Sequence, residues 1–124
     1  MEQLLLHLVG DYLTQTNKMA TEKVKSSLWA VIHAVIYALP FLLIGSWIAV
    51  LVIFKTHFLI DRFRLAKYVV FAKNWVTEPG SLWKNCQDTG YHKDIVPPWI
   101  AVWLLIIADN TIHLCINYAA LRWL

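Results

Sequence analysis

The sequence predicts an all-α fold, a polytopic membrane bundle of four helices that forms a single domain over residues 1–124. Three observations favour this fold. The chain is short, 59% of its 124 residues are hydrophobic, and only 15% are charged. A soluble domain of this size cannot bury so much apolar surface, so part of that surface must face lipid. The apolar residues also fall into separate stretches, several of them close to the roughly 20 helical residues that cross a bilayer core.

The candidate helices are four apolar stretches, in chain order residues 3–16, 28–44, 46 to about 70, and 97–124. The first is the shortest and most polar, and it is predicted to be a short or tilted helix. Gly45 and Ser46 separate the second from the third, which predicts a tight helical hairpin. Pro40 is expected to kink the second helix. Pro97 and Pro98 suit the start of the fourth, because the first N–H groups of a helix are unpaired.

Basic residues predict how the bundle is oriented. They cluster in two connections: Lys18, Lys23 and Lys25 between the first two helices, and Arg62, Arg64, Lys67, Lys73, Lys84 and Lys93 from the end of the third helix onward. The turn at Gly45 carries no charge. By the positive-inside rule, both basic loops face the cytoplasm and both termini face outward. Residues 72–96 mix polar and aromatic side chains and are predicted to form an interfacial loop.

Composition excludes two other classes of function. The net charge of +3 is too small and too scattered for a protein that binds nucleic acid. The two cysteines, Cys86 and Cys115, form no close pair, so the sequence indicates neither a disulfide framework nor a thiolate metal site.

Three histidines in the apolar stretches each have an aspartate four residues away. The pairs are His7 with Asp11, His57 with Asp61, and His113 with Asp109. Residues at this spacing lie on one helix face, one turn apart. With eight carboxylates in the chain, a given histidine would have such a neighbour by chance roughly one time in eight. Ionisable groups in a membrane segment are costly and indicate function, and His33 is a fourth such histidine.

Helical geometry predicts that these groups lie at a similar depth. At about 1.5 Å per residue, His7 and His57 each lie roughly 15 Å from the cytoplasmic end of their helix, and His33 lies about 10 Å from its own. Asp109 reaches a similar level, while His113 lies deeper. We therefore expect a cluster of histidines and aspartates in the cytoplasmic half of the bundle.

The residue types in this cluster indicate a metal. Imidazole and carboxylate are ligands that zinc, manganese and iron share, and helical bundles build metal sites from inward-facing pairs of this kind. The predicted cofactor is a divalent metal, zinc or manganese, bound as one ion or as two bridged by a carboxylate. The predicted ligands are His7, Asp11, His33, His57, Asp61, Asp109 and His113. Two other interpretations fit the same residues: hydrogen-bonded pairs that hold helices together, and a proton relay.

Four segments of the chain carry a resemblance to known proteins. They are HLVGDYLTQTNKMA from His7, HAVIY from His33, THFLIDRFRLAKYV from Thr56, and DNTIHL from Asp109. Together they resemble a family of small bacterial and phage integral membrane proteins of unknown function. That family is similar to inner-membrane proteins classed as metal-dependent hydrolases and regulated with the SOS response. The resemblance implies a polytopic fold in a bacterial inner membrane and metal-dependent hydrolase activity, and it supplies no substrate.

The predicted function is a membrane-embedded hydrolase that acts on a lipid or a lipid-linked phosphate or ester from the cytoplasmic side. A bound metal would activate water and hold the oxygens of the substrate. The predicted catalytic residues are Asp11, Asp61 and Asp109, as carboxylates that bridge the metals or accept the proton of the water. Arg62 and Arg64 are predicted to hold a lipid phosphate, or else to act as positive-inside anchors.

Two further hypotheses belong to other classes of function. One is a non-enzymatic phage or bacterial membrane protein that binds a host membrane partner or relays protons. The other is an assembly subunit that uses its polar layer to form a homo-oligomer. Membrane lipid is the expected partner of the hydrolase.

Overall fold

The computed structural model describes residues 1–124, and the chain is all-α without β-strands, as predicted. It has six α-helices: α1 Glu2–Leu8, α2 Asn17–Glu22, α3 Ser27–Ala38, α4 Trp47–Phe63, α5 Ala66–Thr77 and α6 Pro98–Trp123. Short turns of other helix types cover Val9–Leu13, which is π-helical, and Leu39–Leu43 and Trp83–Asn85, which are 3₁₀-helical. The prediction of four helices was too low, because one stretch is broken and α2 lies in a predicted loop.

The third apolar stretch is two helices rather than one. Helix α4 ends at Phe63, and Arg64 adopts the left-handed conformation with φ 51° and ψ 47°. A left-handed residue terminates an α-helix, and α5 restarts at Ala66. Because α5 continues to Thr77, the predicted interfacial loop from residue 72 is also wrong over its first six residues.

The predicted hairpin between the second and third stretches is confirmed. Helix α3 ends at Ala38 and continues as a 3₁₀ turn that contains Pro40, whose ring nitrogen has no hydrogen for an α-helical bond. The chain turns at Gly45, and the Ser46 side chain caps α4 by accepting a hydrogen bond from the N–H of Ala49 at 3.1 Å.

The chain packs as two compact units. The first combines Met1–Arg64 with His113–Leu124, and its apolar core consists of Tyr37, Ala38, Phe41, Ala49, Ile53 and Ala120. The second is Leu65–Ile112, with a smaller core of Val70, Tyr91 and Ala101. In the second unit Gly90, at φ 86°, lies so close to the carbonyl oxygen of Lys67 that a Cβ atom would collide with it.

The first unit buries a group of polar side chains beside its apolar core, and it exposes large apolar side chains. Its buried polar side chains are His7, Asp11, His33, His57, Asp61, His113 and Asn117. Its exposed side chains include large apolar ones on α3 and α4, namely Leu28, Val31, Val35, Trp47, Ile48, Leu51 and Leu59. One helix, α6, is long and apolar enough to cross a membrane, and Ser27–Leu43 is a shorter apolar helical segment.

Candidate metal centre

Five buried side chains of the first unit converge on one point, and we call them the His–Asp cluster: Asp11, His33, His57, Asp61 and His113. They come from four parts of the chain: the π-helical turn, α3, α4 and α6. Each residue is at most 8% exposed. Four of the five were predicted from histidine–aspartate spacing, and His33 was predicted from its place in an apolar helix.

The first group of the cluster is a triangle of Asp11, His33 and His57. The two imidazole Nε2 atoms lie 3.1 Å apart. Oδ1 of Asp11 lies 3.3 Å from Nε2 of His33 and 3.4 Å from Nε2 of His57. Three potential ligand atoms therefore face one another with nearly equal separations.

Asp61 joins both histidines of this triangle to a third histidine. Its Oδ2 atom lies 3.3 Å from Nε2 of His33 and 3.2 Å from Nε2 of His57. Its Oδ1 atom lies 3.3 Å from Nε2 of His113. The second group of potential ligands is therefore His57, Asp61 and His113, and His57 belongs to both groups.

These separations fit a divalent cation. Tetrahedral zinc has metal–ligand distances near 2.0–2.1 Å, so its ligand atoms lie roughly 3.3–3.4 Å apart. Hydrogen bonding alone does not account for the arrangement, since one imidazole nitrogen carries at most one hydrogen. Nε2 of His33 nevertheless has polar atoms of four side chains within 3.4 Å: Asp11, Lys23, His57 and Asp61. The buried histidine and aspartate groups could thus hold a metal ion.

Helix geometry accounts for how the pairs form. His57 and Asp61 project from one face of α4, as their spacing predicted. Asp11 lies in the π-helical turn one turn beyond His7, and its Oδ2 atom lies 3.5 Å from Nδ1 of His7. Such turns insert an extra residue into a helix and occur often at functional sites.

His7 lies beside the cluster rather than in either group of ligands. Its Nδ1 atom is 2.8 Å from the hydroxyl of Tyr37, and that hydroxyl also accepts a hydrogen bond of 2.6 Å from Nδ2 of Asn117. The Tyr37 ring stacks on His57, with centroids 3.6 Å apart and an interplanar angle of 15°. Tyr37 was not predicted, although its position four residues after His33 places both on one face of α3.

Lys23 is the second residue that sequence reasoning missed. It follows α2, and its Nζ atom lies 2.6 Å from Oδ2 of Asp61 and 3.4 Å from Nε2 of His33. The sequence pattern placed it in a basic loop at the membrane surface. Its aliphatic stem instead carries the ammonium inward to the cluster.

Comparison with known proteins identifies a family. The family described as protein of unknown function DUF3307 matches residues 1–81, which is more than half of the chain. The chain belongs to the DUF3307 family. No curated protein and no solved structure matches the chain. The DUF3307 segment contains Asp11, His33, His57 and Asp61, whereas His113 lies beyond it.

The remaining predicted site residues lie outside the two groups. Asp109, beyond the DUF3307 segment, is a half-buried residue of α6 in the second unit. Within the DUF3307 segment, the Arg62 guanidinium donates hydrogen bonds to the carbonyl oxygen of Val24 at 2.6 Å and to Oγ of Ser27 at 3.2 Å. Arg62 thus ties α4 to the connection between α2 and α3 and to the first residue of α3. Arg64 is the left-handed residue that ends α4.

Proposed function

We propose that this DUF3307 protein is a membrane-embedded, metal-dependent hydrolase that acts on a lipid or lipid-linked phosphate or ester from the cytoplasmic side. The observation that carries the proposal is the convergence of three imidazoles and two carboxylates at separations of 3.1–3.4 Å. Burial of so many ionisable groups is costly, and such clusters concentrate at functional sites.

The distribution of polarity supports a polytopic membrane arrangement. Only 11% of the most apolar 18-residue stretch of α6 is buried inside the protein, whereas a core helix of a soluble protein would be mostly buried. Polar groups face inward in the first unit while leucine, valine and tryptophan face outward, which suits lipid as the surrounding solvent. The exposed Lys55 of α4 would extend its aliphatic stem along this surface toward the interface.

The donor set supports zinc or manganese as the cofactor, with one ion or two. Imidazole nitrogen and carboxylate oxygen suit these ions, and a bound divalent ion supplies an activated water and polarises a phosphoryl or carbonyl oxygen. Asp61 directs its two oxygens to different histidines, which suits a carboxylate that bridges two ions. Asp11 would orient a water and accept its proton.

The substrate class follows from where the cluster would lie. A centre buried among membrane helices is reached from the lipid or from the interface, so a substrate anchored in the membrane has direct access. Arg62 and Arg64 are proposed to contribute positive charge near a lipid phosphate at the cytoplasmic end of α4.

The test combines metal analysis with an activity assay. The protein is purified in detergent without chelator and analysed for metals, with about one or two ions per chain expected. Release of inorganic phosphate from short-chain phosphatidic acid in mixed micelles is measured beside it. Because His57 belongs to both ligand groups, His57→Ala should lose the metal and the activity. The control His92→Ala, in the second unit, should retain both.

Two results would contradict the proposal differently. A folded, metal-free protein that still hydrolyses the lipid would remove the metal from the mechanism. Bound metal without hydrolysis of a phosphate or an ester would contradict the enzymatic activity and indicate a metal-binding membrane protein that is not a hydrolase.

A second candidate function is a proton relay without metal. The observation that favours it is the ion pair between Lys23 and Asp61, which neutralises one carboxylate of the cluster by itself. A relay predicts that Asp61→Asn changes proton flux into vesicles that contain the protein. It also predicts that metal analysis finds no bound ion in the unmodified protein.

A further inference from the structure

We infer that Lys23 competes with the metal for the His–Asp cluster: its ammonium neutralises Asp61 in the metal-free protein and is displaced when the ion binds. The inference rests on the proposed metal site and concerns how that site is loaded.

The competition arises at one oxygen atom. Oδ2 of Asp61 lies 2.6 Å from Nζ of Lys23, which is a close ion pair. The same oxygen lies 3.2–3.3 Å from the Nε2 atoms of His33 and His57, the separation expected of two ligands of one ion. The ammonium and the metal would therefore approach the same carboxylate oxygen.

The two cations cannot share this space without a cost. An ammonium has three donors and no lone pair, so it cannot itself coordinate a metal. Nζ of Lys23 also lies 3.4 Å from Nε2 of His33, another proposed ligand of that ion. A divalent ion bound by these groups would lie within a few ångströms of the ammonium, at a depth where water screens the repulsion weakly.

The Lys23 side chain is also able to move away from Asp61. Its side chain is 17% exposed, against 5% for Asp61 and 0% for His33. The ammonium stands at the end of a flexible four-carbon stem, and the six-residue α2 that precedes it is short. Rotation of the stem toward the exposed side opens Oδ2 of Asp61 to the metal while the rest of the cluster stays in place.

The metal-free state needs this cation. Two carboxylates are buried in the cluster, and a buried carboxylate without a partner is strongly destabilising. Lys23 therefore stabilises the empty site and weakens metal binding at the same time. A residue that only filled space or supported the ligands would not produce these two opposite effects.

The test measures zinc affinity and thermal stability on the full chain in detergent. Metal is stripped with a chelator, and zinc is titrated in competition with a fluorescent chelator. Lys23→Gln removes the charge and keeps a donor for Asp61, and Lys23→Met is a second variant should the first fold poorly. Both should bind zinc at least about tenfold more tightly than the unmodified protein. Both should also melt at a lower temperature when metal-free.

Two controls separate charge from other effects. Lys23→Arg keeps the charge and should show no gain in zinc affinity. Lys25→Gln changes an exposed lysine that pairs with Glu22, and it should behave as the unmodified protein.

Each outcome decides the inference. Equal or weaker zinc binding by both uncharged variants overturns it while leaving the metal site intact. Zinc binding by these variants but not by the unmodified protein supports it, and would mean that the Lys23 ammonium binds Asp61 more strongly than zinc does. If zinc binds neither to the uncharged variants nor to the unmodified protein, both the proposed metal site and the inference are wrong.

Discussion

Tyr37 links the buried polar groups of the first unit to one another. Its hydroxyl contacts His7 and Asn117, and its ring stacks on His57. The side chain is fully buried. Side chains of α1, α4 and α6 therefore meet at one tyrosine of α3. This tyrosine positions the imidazoles of the cluster without itself offering a ligand.

We predict that Tyr37→Phe lowers the free energy of unfolding by about 1–3 kcal/mol, because the buried amide of Asn117 loses this acceptor. Metal content should change little, since the ligand atoms remain. Thermal unfolding in detergent and elemental analysis measure the two quantities. Tyr118→Phe, which alters an exposed tyrosine of α6, is the matched control. Full loss of metal in Tyr37→Phe would instead make the phenol part of the metal site.

The residues of the cluster differ in how far the sequence could predict them. His57 and Asp61 could be predicted as site residues, because an ionisable pair at helical spacing is rare in an apolar stretch. Tyr37 gave no such signal, since tyrosine is ordinary in an apolar helix. Lys23 gave a misleading one, because it lies in a polar connection and only the three-dimensional path of α2 directs its long side chain inward.

At the scale of elements, the π-helical turn fits against α3 through a glycine. A Cβ atom on Gly10 would lie 2.5 Å from Cδ2 of Tyr37, whose ring is held on its other contacts. The turn thus approaches α3 closely enough for Asp11 to reach His33. The absence of a side chain at position 10 is what allows this approach.

We predict that Gly10→Ala destabilises the protein by about 1–3 kcal/mol, because the rigid ring of Tyr37 cannot move aside. It should also weaken metal binding by displacing Asp11. Gly45→Ala is the control: its new methyl group would meet the end of the flexible Leu121 side chain, which can rotate away. Melting temperatures of the two variants in detergent test the difference. Equal melting temperatures would show that the turn can shift without cost.

Element boundaries were predictable where a local signal exists. Pro40, Gly45 and Ser46 mark the hairpin: Pro40 lacks an N–H for the α-helical hydrogen bond, and the Ser46 side chain caps α4. The break at Arg64 has no such signal, since arginine rarely adopts the left-handed conformation. The pattern of apolar residues therefore continues across two helices.

At the scale of the whole molecule, the two native cysteines provide a test of the proposed membrane arrangement. Cys115 is exposed on α6, and Cys86 is a half-buried residue of the second unit just after the Trp83–Asn85 turn. A thiol in a bilayer reacts poorly with water-soluble reagents, because the reactive thiolate is disfavoured there.

We predict that a membrane-impermeant maleimide labels Cys86 in inside-out vesicles and not in intact spheroplasts. Cys115 should remain unlabelled in both and react once detergent removes the lipid. Mass spectrometry of the labelled peptides gives the extent of reaction, and single Cys→Ser variants assign it. Rapid labelling of Cys115 in intact membranes would place that face of α6 in water.

The cluster joins positions far apart in the chain. Nε2 of Gln3 donates a hydrogen bond of 2.8 Å to the carbonyl oxygen of Leu114, across a sequence separation of 111 residues. His113 contacts Asp61 from the same helix. Because His113 follows Asp61 by 52 residues, the second group of potential ligands cannot form until the chain has been synthesised through α6. A nascent chain that stops before α6 contains Asp61 and His57 but lacks His113, so at that stage an ion could meet only the first group of potential ligands.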